Sequence, residues 1–231
     1  MIVARSCALL ALISLLSPGL ALAQPELVER ALRSLDRADA RRWAFTETIT
    51  ENGTTRVARH DPTRPEDERW TLVTVDEQPP TDEQREAFAA RLVAEQDEQS
   101  EAEEIRSMIT PGTLEMVEQT ATDAVFRFKP TSEDEDDREF NERLVGTLRV
   151  AGVAGDPRLQ SVELRASKPF SAAFGVKIKA FSLLMTYAPV GSAGAVLPRE
   201  VRIELRGRAM LVKKIEERVE VRFDDYVRVG D

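Results

Sequence analysis

The chain has few of the side chains that catalytic and metal-binding sites use most often. Its 231 residues include one cysteine, Cys7, and one histidine, His60. A single cysteine forms no disulfide within the chain, and a cysteine-based zinc site needs several thiolates. The only acidic neighbour of His60 in the sequence is Asp61. The pattern therefore favours neither a catalytic triad nor a histidine metal site.

An excess of positive charge is also missing. The chain contains 41 acidic and 32 basic residues, which gives a net charge of −9. Without residues 1–23, whose only charged side chain is Arg5, the net charge becomes −10. Nucleic acids and anionic lipid headgroups attract basic surfaces. The overall charge therefore argues against nucleic acid as a partner and against electrostatic adhesion to anionic lipid headgroups.

Long hydrophobic runs are absent except at the N-terminus. There, Arg5 is followed by the mostly apolar residues 7–16, by Pro18-Gly19 and by Ala21-Leu22-Ala23. This order is typical of a secretory signal peptide that is cleaved between Ala23 and Gln24. The apolar run is too short to remain as a permanent membrane anchor.

The predicted signal peptide, residues 1–23, contains Cys7. This cysteine precedes the apolar core of the signal peptide instead of following it, so it is not a lipidation cysteine. We predict a mature protein without cysteine, exported to the periplasm. Residues 24–231 are enough for one domain with a core of its own.

Apolar and charged residues alternate near the C-terminus. Val201, Ile203 and Leu205 alternate with Glu200, Arg202, Glu204 and Arg206, and Val219, Val221 and Phe223 alternate with Glu220 and Arg222. Successive side chains of a strand point to opposite faces, so each segment is a predicted strand with one dry and one wet face. Residues 176–187 begin with the same alternation. Residues 181–185 are then mostly apolar on both sides, which predicts burial on both faces.

Helices and further strands are predicted upstream. The helices cover residues 26–40 and 82 to about 96, where Thr81 and Gln84 fit a capping box. A polar stretch and an apolar stripe up to residue 109 either extend the second helix or form another one. Asn52-Gly53 is a strong hairpin signal. The upstream strands are predicted at 41–51, 54–60, 69–75, 114–119, 124–129, 143–151 and 159–166, with loops at 132–142 and 168–175. This order indicates an α+β fold with a large antiparallel sheet.

No group of residues supports catalysis. The acidic segment Glu133–Asp137 lacks the glycine and the ligand spacing of a calcium loop, so a solvated hairpin tip is favoured over a calcium site. Asp224 and Asp225 are adjacent on a strand and therefore face opposite ways. No serine lies in a nucleophile elbow. We predict that the protein is not an enzyme and needs no cofactor or metal.

The apolar residues on strands and on the second helix are more informative. One interpretation is an ordinary core between sheet and helices. The other is a concave sheet with a partly filled inner face that admits an acyl chain, because the apolar stripe of the second helix is thin for a permanent lid. The candidate ligand-binding residues are Trp43, Phe45, Trp70, Phe88, Leu92, Phe126, Phe128, Phe181, Leu183 and Met185.

The order of elements resembles the periplasmic lipoprotein carrier family LolA and its structural relatives LolB and the N-terminal domain of RseB. The residues that carry the resemblance are Arg69–Val75, Pro79-Pro80-Thr81, Leu197-Pro198, Gly207-Arg208-Ala209 and Phe223–Tyr226. They mark strand ends and turns, and the resemblance covers the whole mature chain. It implies an unclosed barrel of about ten to eleven curved antiparallel strands, with two or three helices against the concave face.

Two functions follow from these patterns as expectations. The first is a soluble periplasmic binding protein that shelters the acyl chains of a lipoprotein or lipid in an apolar cavity. The alternative is a regulatory or scaffold protein of the cell envelope that binds another protein. Neither function requires nucleic acid or a permanent membrane anchor.

Overall fold

The computed structural model describes residues 24–36, 42–94, 100–132, 135–173, 175–192, 194–210 and 213–229. The predicted signal peptide and its cleavage site lie outside this part of the chain, as do residues 133 and 134 of the acidic segment. The α-helices are α1 (Gln24–Asp36), α2 (Asp82–Ala94), α3 (Glu101–Ser107) and α4 (Glu135–Asn141). A short 3-10 helix covers Glu66–Glu68.

Eleven strands form one antiparallel sheet. They are β1 (Trp43–Glu51), β2 (Thr54–His60), β3 (Trp70–Val75), β4 (Glu115–Gln119), β5 (Asp123–Phe128), β6 (Leu144–Ala151), β7 (Arg158–Ala166), β8 (Phe170–Ala173), β9 (Val176–Val190), β10 (Ala195–Ala209) and β11 (Lys213–Arg228). The strand order is β3-β2-β1-β11-β10-β9-β7-β6-β5-β4, and β8 pairs with β9. The sheet is not closed, because β3 and β4 remain at its two ends. The predicted α+β class, with an open sheet of ten to eleven strands, is confirmed.

The largest core lies between β5–β7 and two helices. Helix α1 buries Val28, Ala31, Leu32 and Leu35, which lie at positions i, i+3, i+4 and i+7 and so form one apolar stripe. Ala102 and Ile105 of α3 are buried in the same cluster. Arg106 joins the two helices, since its guanidinium lies 3.2 Å from the carboxylates of both Glu29 and Asp36. No helix in the described part of the chain is long and apolar enough to cross a membrane.

Two local predictions are confirmed in detail. Asn52 and Gly53 join β1 to β2 with φ angles of 51° and 92°, the left-handed pair that a tight hairpin turn requires. At the start of α2, the amide of Thr81 donates to Gln84 at 2.8 Å and the amide of Gln84 donates to Thr81 at 3.2 Å. The open question of one helix or two is also answered. Helix α3 has its own capping box at Ser100, so it begins independently of α2.

Three predictions are corrected. The predicted loop 132–142 contains α4, whose Phe140 packs edge-on against Phe170 and Phe181 at 5.3 and 5.0 Å between ring centroids. The predicted loop 168–175 contains β8, which pairs with β9 through Phe170 and Ile178. The helices of the described residues therefore number four instead of two or three. Both elements are short and rest on tertiary contacts, which periodicity does not reveal.

Candidate functional site

One row of paired residues crosses the inner face of the sheet from edge to edge. Register places these residues opposite one another in sequence: Met116, Phe126, Leu148, Val162, Met185, Val201, Val221, Ile49, Arg56 and Val75. A parallel row joins Leu164, Leu183, Ile203 and Val219. Side chains at paired positions share a face. The helix-bearing face of the sheet is therefore apolar across its central strands.

Along these rows, the side chains become more exposed from β7 to β9. Phe126, Leu148 and Val162 are 0% exposed, because α1 and α3 cover β5–β7. The next positions on β9, β10 and β11 are only half-buried, although their side chains are as apolar as those of the core. We name this region the open face; it consists of Leu183, Met185, Val201, Ile203, Val219 and Val221.

The centre of β9 was predicted to be buried on both faces, and this is wrong. Residues 181–186 are half-buried on both sides of the sheet. On the inner side, Leu183 and Met185 belong to the open face. On the outer side, Leu184 lies between its paired neighbours Arg202 and Glu163.

An aromatic cluster continues from the open face toward the end of the sheet. It consists of Phe45, His60, Trp70, Phe223 and Tyr226, with Phe45 at its centre. The ring of Phe45 lies 4.9 Å from His60, 5.5 Å from Trp70, 5.8 Å from Phe223 and 5.4 Å from Tyr226. Phe223 lies two residues after Val221 on β11 and so shares its face.

The single histidine has a structural environment. Its Nδ1 lies 3.2 Å from the carbonyl oxygen of Trp43, and its ring packs 4.9 Å from Trp70. Burial lowers the pKa of His60, and the nearby Arg69 acts in the same direction. Both effects favour the neutral imidazole.

Glu101 and Tyr187 form a polar pair beside the apolar face. Glu101 is the first residue of α3, and its carboxyl group interacts with the hydroxyl of Tyr187 on β9, which also lies 3.9 Å from the Met185 sulfur. Burial raises the pKa of Glu101 to about 7, Glu104 adds to this effect, and the bond from Tyr187 opposes it. The pKa of Tyr187 is raised by burial and by Glu101. The pair can form hydrogen bonds with a polar group of a ligand.

A cleft of about 930 Å³ opens at the end of the sheet beyond the aromatic cluster. Its wall includes Trp43 and Tyr226, and the Tyr226 hydroxyl donates to the carbonyl of Pro198 at 2.8 Å. Three arginines, Arg42, Arg158 and Arg228, and one carboxylate, Asp156, also line this end cleft. Tyr226 belongs to both the cleft and the aromatic cluster. The aromatic cluster therefore borders the open face through Phe223 and the end cleft through Tyr226.

Helix α2 lies to one side of the open face. Phe88 lines a small pocket of about 210 Å³ together with Leu72 of β3 and Arg56 of β2. The helix therefore lies over the β2–β3 end of the sheet. Its predicted thin apolar face is confirmed, since only Gln84, Phe88, Arg91 and Leu92 are half-buried among its described side chains.

The ten candidate ligand-binding residues fall into separate groups. Phe126 and Phe128 are sealed in the core at 0% and 2% exposure, so a ligand has no access to them there. Phe181, Leu183 and Met185 lie on β9, and Phe45 and Trp70 belong to the aromatic cluster. Trp43 is buried with Leu197 beside the end cleft, and Phe88 and Leu92 lie on α2. Ligand contact by these residues remains a prediction.

Sequence reasoning missed the polar part of the site. Glu101 lies in the polar stretch 95–104, where no residue stands out from its neighbours. Tyr187 carried a usable signal, since it follows Leu183 and Met185 at the two-residue spacing of one strand face. The end-cleft arginines come from three distant segments and have no common pattern in the sequence.

Among the described residues, no three His, Cys, Asp or Glu side chains are grouped so that they could hold a metal ion. The site is therefore an apolar surface with a carboxyl–hydroxyl pair at its side and arginines at its end.

No protein-family model matches the chain, and no curated protein matches it.

Proposed function

We propose that the protein is a soluble periplasmic binding protein that shelters the acyl chains of a lipoprotein or lipid on the open face. The observation that carries this proposal is the change in burial along the inner rows. Val162 is 0% exposed, whereas Met185 and Val201, its paired neighbours in the same row, are half-buried. A methylene that reaches this surface leaves water at a gain of about 0.8 kcal/mol.

The aromatic cluster extends the apolar path that the ligand would follow. Phe223 continues the open face along β11, and Phe45 joins Phe223 to Tyr226 at the end cleft. A chain that lies along this path would place a polar headgroup at the end cleft. The guanidinium groups of Arg42, Arg158 and Arg228 suit a carboxylate or phosphate there.

A fluorescent fatty acid tests the proposal, with unlabelled fatty acids of increasing length as competitors. Each added methylene that reaches the open face should improve competition by about fourfold. Leu183→Trp should weaken probe binding with little change in melting temperature, because its side chain lies in the half-open space. Leu184→Trp is the matched control, since Leu184 is the next residue of β9 and faces outward.

The opposite pattern would overturn the proposal. If the parent protein binds no probe, or if Leu183→Trp lowers stability by the roughly 1–3 kcal/mol of an overpacked core, the open face is not a ligand site. Equal loss of binding in both variants would also contradict it. If the proposal holds, mass spectrometry of a lipid extract from the purified protein would identify the ligand class.

The alternative is a regulatory or scaffold role, and the sheet edges are the observation that favours it. Val73 on β3 is 46% exposed and Val117 on β4 is 42% exposed. Both strands end the sheet and so offer backbone groups to another strand. A proline at Val117 would block a partner strand at β4 without touching the open face. Loss of an envelope-protein partner in that variant, with unchanged probe binding, would support the alternative.

Export is part of the proposal. The Ala21-Leu22-Ala23 triplet after the apolar run supports cleavage before Gln24. N-terminal sequencing of the protein recovered from the periplasm should begin at Gln24. Recovery of the chain with Met1 intact would contradict this part.

A further inference from the structure

Three long strands extend beyond their neighbours at one end of the sheet. The pairing of β1 with β11 begins at Val219, and the pairing of β7 with β9 begins at Ser182. Residues 176–181 of β9, 205–209 of β10 and 213–218 of β11 therefore extend past β1 and β7. On their inner side β8 pairs with β9 and Phe140 of α4 packs against Phe181. We name this protruding part the finger.

The outer face of β10 and β11 carries complementary charges, both beside the finger and within it. The pairing of β10 with β11 places Glu200 opposite Arg222, Arg202 opposite Glu220, Glu204 opposite Arg218 and Arg206 opposite Glu216. Opposite charges at directly paired positions stabilise a sheet. This face is therefore a ladder in which each cation has an anion across from it.

The last row of the ladder breaks the rule. Arg208 is opposite Lys214 on one side and Lys177 on the other, so three cations lie in one row across β9, β10 and β11. Like charges at directly paired positions destabilise a sheet. Glu216 contacts Lys214, but no carboxylate occupies the row itself. The four complementary pairs above show that this sheet readily accommodates an acidic residue at such positions.

The finger as a whole is basic in an acidic protein. Its residues include seven Lys or Arg and two Glu, whereas the entire chain has a net charge of −9. Four of the six lysines of the chain lie here, namely Lys177, Lys179, Lys213 and Lys214. The positive charge of the finger can act on a partner although the chain is acidic overall. Salt screens the effect of charges that lie more than roughly 8–10 Å away.

An apolar residue lies at the end of the finger. Met210 follows β10 directly and is 70% exposed, the highest exposure among the large exposed hydrophobic residues of the described chain. Its amide donates to the carbonyl of Gly175 at 2.7 Å, which joins the β10 end to the β8–β9 turn. An exposed apolar residue next to a row of cations is typical of a surface that meets the interface of a lipid bilayer.

We propose that the finger docks the protein on the phosphate surface of an anionic lipid bilayer, with Lys177, Arg208 and Lys214 facing the headgroups and Met210 at the interface. The net charge of the whole chain argues against adhesion, but the cross-strand register collects the cations on one protruding end. Lysine suits this partner, since its ammonium is a strongly hydrated point charge on a flexible apolar stem. Nucleic acid is a weaker fit, because the described finger carries no exposed aromatic side chain for base stacking.

This inference is independent of acyl-chain binding and is tested without any fatty acid. The probe is vesicles of an equal mixture of phosphatidylcholine and phosphatidylglycerol, and sedimentation measures the bound protein. Each Lys or Arg close to an anionic bilayer surface strengthens binding about fivefold. A triple variant with Lys177→Gln, Arg208→Gln and Lys214→Gln should therefore bind the vesicles roughly a hundredfold more weakly. Raising the salt concentration should weaken binding of the parent protein in the same direction.

A triple variant with the same charge change serves as the control. Arg127 lies on β5, Lys129 lies just after β5 and Arg149 lies on β6. All three side chains are exposed and far from the finger in strand order. Their replacement by glutamine should leave vesicle binding within about twofold, since charges that distant are screened. The finger variant should melt no lower than the parent, because it removes a like-charge row.

Met210→Ser gives a second measurement that leaves every cation in place. It should weaken binding severalfold and leave the salt dependence unchanged, because it removes apolar contact only. The proposal is overturned if the parent protein does not sediment with anionic vesicles, if it binds pure phosphatidylcholine equally well, or if the control variant loses as much binding as the finger variant. Capture of an acidic protein without vesicle binding would also overturn it.

Discussion

The hydroxyl of Tyr187 interacts with the carboxyl group of Glu101, which connects the first turn of α3 to the inner face of β9. Tyr187 is 5% exposed, and the pair lies where the helices that cover the core meet the open face. Burial disfavours the charged carboxylate, and this raises the pKa of Glu101 to about 7.

The first prediction concerns pH. The folded protein holds the Glu101 proton to about pH 7, whereas an unfolded glutamate releases it near 4.5. The stability from this group is therefore fully present below about pH 4.5 and is lost as the pH rises through about 7. Relative to Glu101→Gln, the parent should lose up to about 3 kcal/mol of unfolding free energy between these values. Denaturant titrations of both proteins at a series of pH values measure this.

Two features make the comparison specific. The lowered pKa of His60 acts in the opposite sense, because its contribution falls as the pH falls below 6.5, so only the difference between variant and parent isolates Glu101. Glu86→Gln on the exposed side of α2 is the matched control and should keep the pH profile of the parent. Identical profiles for Glu101→Gln and the parent would show that the carboxyl is not buried in solution.

The second prediction concerns the packing of β5 against β6. Gly146 is paired with Phe128, and a Cβ at Gly146 would lie 2.2 Å from the end of the Phe128 ring. Phe128 is 2% exposed, so its ring has little room to move away. Gly146→Ala should therefore destabilise the protein by about 1–3 kcal/mol. Gly155→Ala, where a Cβ meets nothing within 4 Å, should change the unfolding free energy by less than about 0.5 kcal/mol.

A double variant distinguishes a clash from a general effect of alanine at this position. If the ring of Phe128 causes the loss, Gly146→Ala should cost less in a Phe128→Leu background than in the parent. The two changes would then show a coupling energy of about 0.5 kcal/mol or more. Additive losses would mean that the backbone, and not the ring, limits the size of residue 146.

The sequence predicted the strands well because alternation is a local signal. The return strand 54–60 was placed at its observed bounds, and the Asn52-Gly53 turn and the Thr81 capping box were identified from short spacings alone. Elements held by contacts distant in the sequence were missed. Phe140 anchors α4 through Phe170 and Phe181, and no spacing within residues 132–142 signals those partners.

The site was predicted less completely than the fold, for a related reason. Periodicity shows which side chains share a face, but not whether another element covers that face. Phe126 and Leu183 both follow a strand pattern, yet only Phe126 lies beneath α1 and α3. Likewise, the cation row of the finger depends on the pairing of three strands, and the sequence does not state which residues lie opposite one another.

The last prediction concerns the two faces of β10. Ile203 lies on the open face between Leu183 and Val219, and Arg202 lies on the outer face opposite Glu220. Ile203→Asp should destabilise the protein by about 1–3 kcal/mol, since it places a carboxylate among apolar side chains. Because Ile203 is half-buried, water still reaches the site and the loss stays below that of a sealed core. The same variant should also weaken binding of the fluorescent fatty acid.

The control substitution at Arg202 on the outer face should remove its charge without adding a negative one. Arg202 contacts Glu200 at 2.5 Å, so an aspartate at residue 202 would add repulsion to the loss of a cation. Arg202→Gln removes the charge alone and should cost about 0.5 kcal/mol or less, as is usual for an ion pair near the surface. Urea titration gives both values, and fatty-acid binding should be unchanged in Arg202→Gln. Equal destabilisation by the two variants would contradict the assigned faces, because a strand shifted by one residue would exchange them.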